Sequence, residues 1–333
     1  MKFLVIGLGS MGKRRVRNLI TLDQKDIIGF DPRQDRCVEA EQKYSIKTYQ
    51  NFEDAINTKP DAMIISTPPD LHSKYAKIAI EKKSHFFTEA NVVTDGMSEI
   101  IDLLKNNDIV GVPSSTLRFH KMFLKLKTIL MENENLGKIL CILHHQGQYL
   151  PDWHPWEDYR DFYASKKITG AGREMVPFEL VWLTALFGKI RNVKGLKTRT
   201  GILDSDIDDL YNAILEFDNG IKGMLTVDVI SRIPYRQIKI ITENGVIESD
   251  WNAKKIKVFT KSEGWGEFII DSGKPEKNYI HGEGTYVNEI EGFIQAIKKE
   301  KKFPYSFEED LYILNILESI EKDDYKMVVN DQI

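Results

Sequence analysis

The sequence predicts two domains: an α/β domain with a parallel sheet, then an α+β domain with a mostly antiparallel, open sheet. Three observations support this: a glycine-rich turn after the first apolar run, short apolar runs alternating with helical stretches, and later hairpin turns between longer alternating stretches. A chain of 333 residues also exceeds what one simple core accommodates.

The first third has the rhythm of a parallel sheet. Apolar strands separated by amphipathic helices indicate right-handed crossover connections. The expected strands are 2–7, 26–31, 61–67, 84–90 and 108–113, and the expected helices are 11–22, 33–44, 70–82 and 97–106.

The pattern then changes to longer stretches with period-two alternation. The turns DNG at 218–220 and ENG at 243–245 are typical of hairpins. The expected strands are 139–150, 192–198, 210–217, 221–230, 236–242 and 255–260, and the expected helices are 121–133, 285–299 and 308–320. A boundary near 113–119 gives domains 1–117 and 118–333.

Composition excludes several classes of protein. The formal net charge of −4 and the lack of clustered excess Lys and Arg argue against nucleic-acid binding. No apolar stretch reaches the roughly 20 residues that cross a bilayer, and the apolar N-terminal run is interrupted by glycines, unlike a signal peptide. Cys37 and Cys141 have no partner spacing and suit a reducing compartment. We therefore expect a cytoplasmic protein without a membrane partner.

The turn GLGSMG predicts a dinucleotide site. Gly7 allows a tight turn, Gly9 lets a pyrophosphate approach the backbone, and Gly12 lets the helix pack on the strand. The helix N-terminus around Ser10 and Met11 offers free N–H groups to phosphates. Strand, turn and helix together indicate a Rossmann domain.

Asp31 follows the next strand, about 20 residues on, where an acid accepts the ribose hydroxyls. Its charge repels a 2′-phosphate, so NAD is favoured over NADP. Arg33 could reach such a phosphate, although a solvated position in the first turn of the second helix explains it as well.

With GLGSMGKRRVRNL, STPPDLH, and GKIL followed by YLPDWHPWEDYR, the chain resembles the glucose–fructose oxidoreductase/inositol dehydrogenase family over almost its full length. The resemblance implies a Rossmann domain followed by an open-sheet domain. It also implies hydride transfer between nicotinamide and a sugar, inositol or nucleotide sugar. The YLPDW…DYR segment is similar to enzymes of surface-sugar biosynthesis.

The resemblance also carries over individual positions. The turn at Ser66, Thr67 and Pro68 would lie along the cofactor, and Glu89 would lie beside the nicotinamide ribose. His72 matches a family histidine near the cofactor, with helix capping or packing as the alternative role. Arg118 stands at the domain junction, where the resemblance puts the substrate cleft.

The proton-handling residues depart from the family pattern. Ala90 stands where the Glu-Lys-Pro motif has its lysine, and Asn91, beside the cofactor, replaces the proline. In the second signature, Glu174 takes an aspartate position and Phe178 takes a histidine position. Neither Ala90 nor Phe178 can carry a proton.

Three residues are candidates to replace that function. Pro177 suits the first residue of a helix that ends at Gly188, so Glu174 would precede the helix and face the cleft. A buried carboxyl with a raised pKa can act as acid or base; an ion pair with Arg173 is the alternative. His154 and Tyr163 are further proton carriers.

The same segments supply candidate substrate contacts. Tryptophans such as Trp153 and Trp156 suit stacking on a sugar or fixing a loop, and Glu179 suits either the cleft or a helix first turn. The candidate substrate-binding residues are Arg118, Trp153, Arg160, Arg173 and Glu179. We expect no metal, because the adjacent His144 and His145 on a strand point to opposite faces.

Three functions remain open from the sequence. The first is an NAD-dependent oxidoreductase acting on a carbohydrate hydroxyl. The second is a redox-neutral enzyme that uses bound NAD transiently, for example in glycoside cleavage or elimination. The third is an NAD-binding protein without catalysis. The second-domain sheet also predicts a homodimer or homotetramer, since Leu215, Phe217, Met224 and Val227 need cover.

Overall fold

The computed structural model describes residues 1–155, 157–271, 273 and 282–322. The first domain contains a six-stranded sheet in the order β3-β2-β1-β4-β5-β6 with all pairs parallel. Its strands are β1 (Lys2–Ile6), β2 (Asp26–Phe30), β3 (Lys47–Tyr49), β4 (Ala62–Ile65), β5 (His85–Thr88) and β6 (Gly111–Pro113). The strand order reverses between β1 and β4, which opens a crevice at their carboxyl ends.

Five helices connect these strands: α1 (Ser10–Thr21), α2 (Gln34–Tyr44), α3 (Phe52–Ile56), α4 (His72–Glu81) and α5 (Met97–Lys105). The expected Rossmann domain, a parallel sheet whose strands are connected by helices, is confirmed. Sequence analysis missed β3 and α3. Both are short, and β3 is a half-exposed edge strand, so neither shows a clear hydrophobic period.

The second domain contains an eight-stranded sheet in the order β14-β13-β12-β11-β7-β10-β9-β8, in which only β7 and β10 pair in parallel. The strands are β7 (Ile139–Tyr149), β8 (Ile190–Thr198), β9 (Leu210–Phe217), β10 (Lys222–Asp228), β11 (Ile230–Thr242), β12 (Gly245–Asp250), β13 (Lys255–Thr260) and β14 (Gly264–Ile269). The mostly antiparallel sheet and both hairpin turns are as expected; β12 and β14 were missed.

The remaining helices are α6 (Lys121–Glu132), α7 (Ala171–Phe187), α8 (Glu283–Ile297) and α9 (Phe307–Glu321). Helix α7 lies against β9 and β10, and α9 lies against β8. The last two helices also return to the first domain, where α8 packs on α1 and α9 packs on α5 and β6. The C-terminal part of the chain therefore joins both domains.

The expected start of α7 at Pro177 is wrong. The helix begins at Ala171 and runs through the proline, with Glu174 in its first turn and Glu179 in its interior. The Glu174 N–H donates to the Gly170 carbonyl at 2.8 Å. Apolar side chains on both sides of Pro177 are buried, and we infer that this packing outweighs the roughly 3 kcal/mol that an interior proline costs.

The open face of the second sheet also differs from expectation. Leu215, Phe217 and Val227 are fully buried, on the face that the helices cover. Met224 points the other way and is 56% exposed. Ile214, its cross-strand partner on β9, is 63% exposed, so the uncovered face has its own apolar patch.

A buried ionic cluster joins the two domains. Arg15 on α1 is fully buried and donates to both carboxylate oxygens of Glu89, at 2.7 Å each. Its Nη2 also lies 2.9 Å from Glu289 on α8. Glu289 in turn accepts hydrogen bonds from Ser114 Oγ, Ser115 N and Thr116 Oγ1 at 2.6–2.8 Å. The cluster thus fixes α1, the end of β5, α8 and the domain junction together.

We expect Arg15→Met to lower the free energy of unfolding by about 3–5 kcal/mol, because it leaves two carboxylates buried without their cation. Urea denaturation followed by circular dichroism measures this. Arg17→Met is the matched control on the same helix, since Arg17 is partly exposed and its pair with Glu283 spans 3.3 Å; a change below about 1 kcal/mol is expected there. Equal losses in the two variants would contradict a special role for Arg15.

Candidate active site

The glycine-rich turn lies at the crevice between β1 and β4. Gly7 has a φ of 89°, and a Cβ there would lie 2.6 Å from the Ser66 carbonyl oxygen. A Cβ on Gly12 would lie 1.7 Å from the Gly7 carbonyl oxygen. Neither glycine has room for a side chain, so no side chain covers the backbone at these two positions. Helix α1 begins with Ser10 and Met11, and its N-terminus faces the crevice.

Asp31 is buried at the end of β2. Its Oδ2 accepts from Leu8 N at 2.8 Å and its Oδ1 accepts from Arg33 N at 2.9 Å, which holds the carboxylate next to the glycine turn. The Arg33 side chain turns away to the carboxylate of Asp35, at 2.5 and 3.1 Å. Arg36, which sequence analysis did not select, lies 3.4 Å from Asp31. No spacing rule in the sequence indicates that contact.

The turn after β4 and the end of β5 meet at the same crevice. Ser66 Oγ donates to Glu89 at 3.0 Å. Thr67 Oγ1 is buried and has no hydrogen-bond partner within the described residues, and Pro68 leads into the short helix 69–71. Two residues lie beneath this turn: His72 is 2.9 Å from the Thr67 carbonyl and 2.7 Å from Asn91 Oδ1. The structure thus brings these cofactor candidates together.

Glu174 and Tyr163 form a partly buried pair. Tyr163 donates its hydroxyl to Glu174 Oε1 at 3.1 Å, and Glu174 Oε2 has no partner in the part of the chain described. Burial, with a smaller contribution from the negative charge of Glu89, raises the pKa of Glu174 to about 7 against the lowering effect of the Tyr163 hydrogen bond. Burial also raises the pKa of Tyr163 well above its usual range. Glu174 can therefore exchange a proton at neutral pH while Tyr163 stays protonated.

The alternative pairing of Glu174 with Arg173 is not what the structure contains. Arg173 pairs with Glu321 on α9 at 3.0 Å and donates to the carbonyls of Val92 and Ile168. These contacts bind α7 to its neighbours and occupy the guanidinium that was expected to bind substrate.

The two positions that lost the family's proton carriers are neighbours in space. Ala90 and Phe178 line one small cavity, together with Asn91 and Asp310. Asp310 was not predicted: it lies on α9, 219 residues from Asn91, whose Nδ2 donates to it at 2.6 Å. A carboxyl group thus stands beside the vacated lysine position.

Glu179 does not reach the cleft, contrary to one expectation. It is fully buried and accepts from Arg236 at 2.7 and 2.9 Å, from Trp182 Nε1 at 2.8 Å, and lies 2.8 Å from His144 Nε2. Burial alone would raise the pKa of Glu179, but the charge of Arg236 and the bonds from His144 and Arg236 lower it to about 2. Glu179 is thus the anion of a structural cluster under the sheet.

Arg118 and Arg160 also have their donors engaged elsewhere. Arg118 is buried, donates to the carbonyls of Val181 and Pro304, and lies over the Tyr305 ring at 4.5 Å. Arg160 lies on the surface and pairs with Asp158 and Asp204. Neither placement favours the substrate contact expected from the sequence.

Trp153 and His154 lie in the loop after β7. The Trp153 indole N–H is buried without a partner among the described residues. His154 Nδ1 lies 2.7 Å from Glu157, its ring packs on Phe162 at 5.0 Å, and burial lowers its pKa. No contact joins His154 to Glu174 in the residues described. Trp156 lies outside them.

The described residues contain no group of three or more His, Cys, Asp or Glu side chains that could hold a metal ion. His144 and His145 point to opposite faces of the sheet, where His145 pairs with Asp228 at 2.9 Å. Within the same residues, no helix has the length and apolar character needed to cross a membrane.

Comparison with solved structures shows the same fold. A levoglucosan dehydrogenase in complex with NADH and levoglucosan has a TM-score of 0.82 at 18% identity, covering 97% of each chain. A UDP-N-acetylglucosamine 3-dehydrogenase from Acidithiobacillus ferrooxidans has a TM-score of 0.77 at 17% identity, covering 96% of each chain. An oxidoreductase from Agrobacterium radiobacter in complex with NAD⁺, L-tartaric acid and magnesium has a TM-score of 0.83 at 14% identity, covering 97% of this chain and 96% of that one.

No curated protein matches the sequence. Two family profiles match it in succession: the oxidoreductase family with an NAD-binding Rossmann fold over residues 1–112, and the GFO/IDH/MocA C-terminal domain over residues 123–248. Together with the two-domain fold and the bare glycine turn, these matches show that the chain belongs to the GFO/IDH/MocA family of NAD-binding oxidoreductases.

Proposed function

We propose that this oxidoreductase transfers a hydride between NAD and a hydroxyl-bearing carbon of a carbohydrate, with Glu174 handling the hydroxyl proton. The observation that carries the proposal is the buried Glu174 carboxyl with a pKa of about 7 and an unpartnered Oε2 within the described residues. A group with that pKa can serve as acid or base at neutral pH. It replaces the proton carriers missing at Ala90 and Phe178.

The residues at the crevice fit NAD. The glycine turn and the N-terminus of α1 would hold the pyrophosphate, and Asp31 would accept the adenosine ribose hydroxyls. Thr67 Oγ1 has a free donor for the nicotinamide half. Glu89 belongs to the same crevice, and its charge contributes to the raised pKa of Glu174, which supports a location of Glu174 on the nicotinamide side.

NAD, when bound, would supply the acceptor for the hydride of the substrate carbon. The chain's own residues handle the remaining proton. In the oxidation direction, Glu174 Oε2 accepts the proton of the substrate hydroxyl as the C–H bond gives its hydride away, so an alcohol becomes a carbonyl. In the reverse direction the protonated Glu174 returns that proton. Tyr163 holds Oε1 throughout and leaves Oε2 for the substrate.

A carbohydrate substrate is supported by the relatives. The neighbours of the same fold include a dehydrogenase bound to levoglucosan and one acting on UDP-N-acetylglucosamine. A panel of sugars and nucleotide sugars, followed by reduced-cofactor absorbance and product mass, tests this. Substrate-dependent absorbance supports the proposal. Product without net cofactor change would indicate redox-neutral chemistry instead, and tight NAD binding with neither signal would indicate a binding protein.

We also propose that the open sheet face joins two copies of the chain into a homodimer, or pairs of dimers into a homotetramer. Met224 pairs across the sheet with Ile214 on β9 and Leu143 on β7, and all three side chains are exposed. Exposed apolar patches of this kind mark association surfaces. Among the described residues, α7 contacts β9 and β10 and α9 contacts β8, and the buried side chains of β9 and β10 lie on the face opposite Met224.

The division into domains 1–117 and 118–333 and the cytoplasmic location are likewise proposals. The first sheet ends at Pro113, which supports a boundary soon afterwards. Cys37 and Cys141 are both free thiols, which supports a reducing compartment.

We expect Glu174→Gln to lower kcat by about 10²–10⁴-fold while the Kd for NAD stays within about twofold. The amide keeps the shape of the side chain but cannot take up a proton. Steady-state kinetics with the substrate found in the panel, and calorimetry with NAD, measure the two effects. If His154→Ala abolishes turnover and Glu174→Gln does not, His154 is the proton carrier and the assignment to Glu174 is wrong.

The pH profile gives a second test through Tyr163. Oxidation needs the Glu174 carboxylate, so kcat should rise with pH through about 7, the pKa that burial gives this group. Because the Tyr163 hydroxyl lowers that pKa, Tyr163→Phe should move the rising limb to higher pH. An unshifted limb would show that Tyr163 does not act on the group that titrates.

We expect Met224→Glu to dissociate the proposed dimer, because a carboxylate cannot enter an apolar interface without a partner. Light scattering after size-exclusion chromatography measures the mass of the particle in solution. Met131→Glu is the control, since Met131 is 74% exposed on α6, away from the sheet. Dissociation of both variants, or of neither, would contradict an interface at Met224.

A further inference from the structure

A chain of buried hydrogen bonds runs from the cofactor turn to α9. His72 Nε2 lies 2.9 Å from the Thr67 carbonyl oxygen, and His72 Nδ1 lies 2.7 Å from Asn91 Oδ1. Asn91 Nδ2 lies 2.6 Å from Asp310 Oδ2, and Tyr305 donates to Asp310 Oδ1 at 2.8 Å. All four side chains are at least nine-tenths buried, so water cannot take the place of a missing partner.

Along this series of hydrogen bonds, each donor faces an acceptor only if His72 and Asp310 together carry the right number of protons. The Thr67 carbonyl can only accept, so His72 Nε2 must carry a hydrogen. A neutral His72 then has a bare lone pair at Nδ1, which needs the amide N–H₂ of Asn91. With the Asn91 amide in that orientation, its oxygen faces Asp310. The Asp310 carboxyl must then be protonated to donate a hydrogen bond to that oxygen.

Two arrangements satisfy every bond, and both contain one proton shared between His72 and Asp310. In the first, His72 is neutral, Asn91 donates to it, and a protonated Asp310 donates to the Asn91 oxygen. In the second, His72 is a cation, its Nδ1–H donates to the Asn91 oxygen, and Asn91 donates to the Asp310 carboxylate. The two arrangements differ by a half-turn of the Asn91 amide together with transfer of one proton between Asp310 and His72.

If the proton shared between His72 and Asp310 is removed, two hydrogen-bond acceptors face each other in either orientation of the Asn91 amide. Either the Asn91 oxygen faces the Asp310 carboxylate, or it faces the bare Nδ1 of His72. In both cases two lone pairs oppose each other at 2.6–2.7 Å in a buried place. An unsatisfied contact of this kind is costly in a low-dielectric interior.

The surroundings favour the arrangement with neutral groups. Burial raises the pKa of Asp310 to about 7, further helped by the charge of Glu309, and opposed by the bonds from Asn91 and Tyr305 and by the charge of Arg118. Burial lowers the pKa of His72, opposed by its bonds to Asn91 and Thr67 and by the charges of Glu89 and Asp70. The shared proton therefore belongs on Asp310, with the Asn91 amide turned by half a rotation from the orientation in which Nδ2 faces Asp310.

We propose that Asp310 is a positioning residue for the cofactor turn, and that it must carry a proton, shared through Asn91 with His72, for Thr67 to be held in its NAD-binding position. The Thr67 carbonyl oxygen is held by His72, at one end of this hydrogen-bond network. The turn that contains Thr67 lies directly against the glycine turn, since a Cβ on Gly7 would lie 2.6 Å from the Ser66 carbonyl oxygen. The inference rests on NAD binding alone and not on the substrate or the role of Glu174.

The test compares NAD affinity across pH about 5 to 9 in the intact protein and in Asp310→Asn. In the wild type, we expect the Kd for NAD to rise at least about fivefold as Asp310 loses its proton. In Asp310→Asn, the new amide donates to Asn91 and accepts from Tyr305 at every pH. Its Kd should therefore stay near the wild-type low-pH value throughout.

Glu308→Gln is the matched control, because it removes an exposed carboxyl from the first turn of the same helix, outside this hydrogen-bond network. It should retain the wild-type pH dependence of NAD binding. A flat profile in Glu308→Gln with an unchanged profile in Asp310→Asn would overturn the proposal. So would an affinity in Asp310→Asn that is reduced equally at all pH values, since that is the result of a merely structural role.

A measurement on the wild type guards against a variant that fails to fold. In protein with ¹⁵N-labelled histidine, the His72 ring should show the neutral form with its hydrogen on Nε2 at neutral pH. An imidazolium at neutral pH would overturn the assignment of the shared proton to Asp310.

Discussion

The guanidinium of Arg15 is the cation on which the arrangement of this molecule depends. It is fully buried, so burial alone would lower its pKa, but the carboxylates of Glu89 and Glu289 raise it and keep it charged. Glu89 ends β5 beside the cofactor crevice and Glu289 comes from α8, so one charge holds together parts that are distant in sequence. The same Glu89 contributes to the raised pKa of Glu174. The cluster that joins the domains therefore also contributes to the raised pKa of Glu174.

Ala90 and Phe178, where the family resemblance implies proton carriers, line a small cavity together with Asp310. Glu174 lies four residues before Phe178 on α7 and is not part of that lining. Glu174 pairs with Tyr163 and has an oxygen left for a ligand. In Asp310 both carboxyl oxygens have hydrogen-bond partners, Asn91 at Oδ2 and Tyr305 at Oδ1, so neither is left for a ligand. Burial raises the pKa of both groups to about 7, but only Glu174 has a carboxylate oxygen, Oε2, without a hydrogen-bond partner among the described residues.

Much of the fold could be read from the sequence, because buried parallel strands, glycine turns and hairpin turns leave local signals. Short elements such as β3 leave almost none. The start of α7 was misjudged because the local rule for Pro177 was overridden by packing. The type of residue at Glu174 and Tyr163 suggested proton chemistry, although their pairing did not follow from spacing. Asp310 and Arg36 could not be found at all, since their contacts arise only when distant parts of the chain meet.

The return of α8 to α1 has a consequence for how the protein is made. Arg15 emerges from the ribosome about 270 residues before its partner Glu289. At roughly 5–20 residues per second, that interval lasts about 14 to 55 s. Once β6 has been made, the first domain can form its parallel sheet, but its ionic cluster is still incomplete and α8 does not yet cover α1. Until the C-terminal helices are made, Arg15 therefore has only the carboxylate of Glu89 in this cluster.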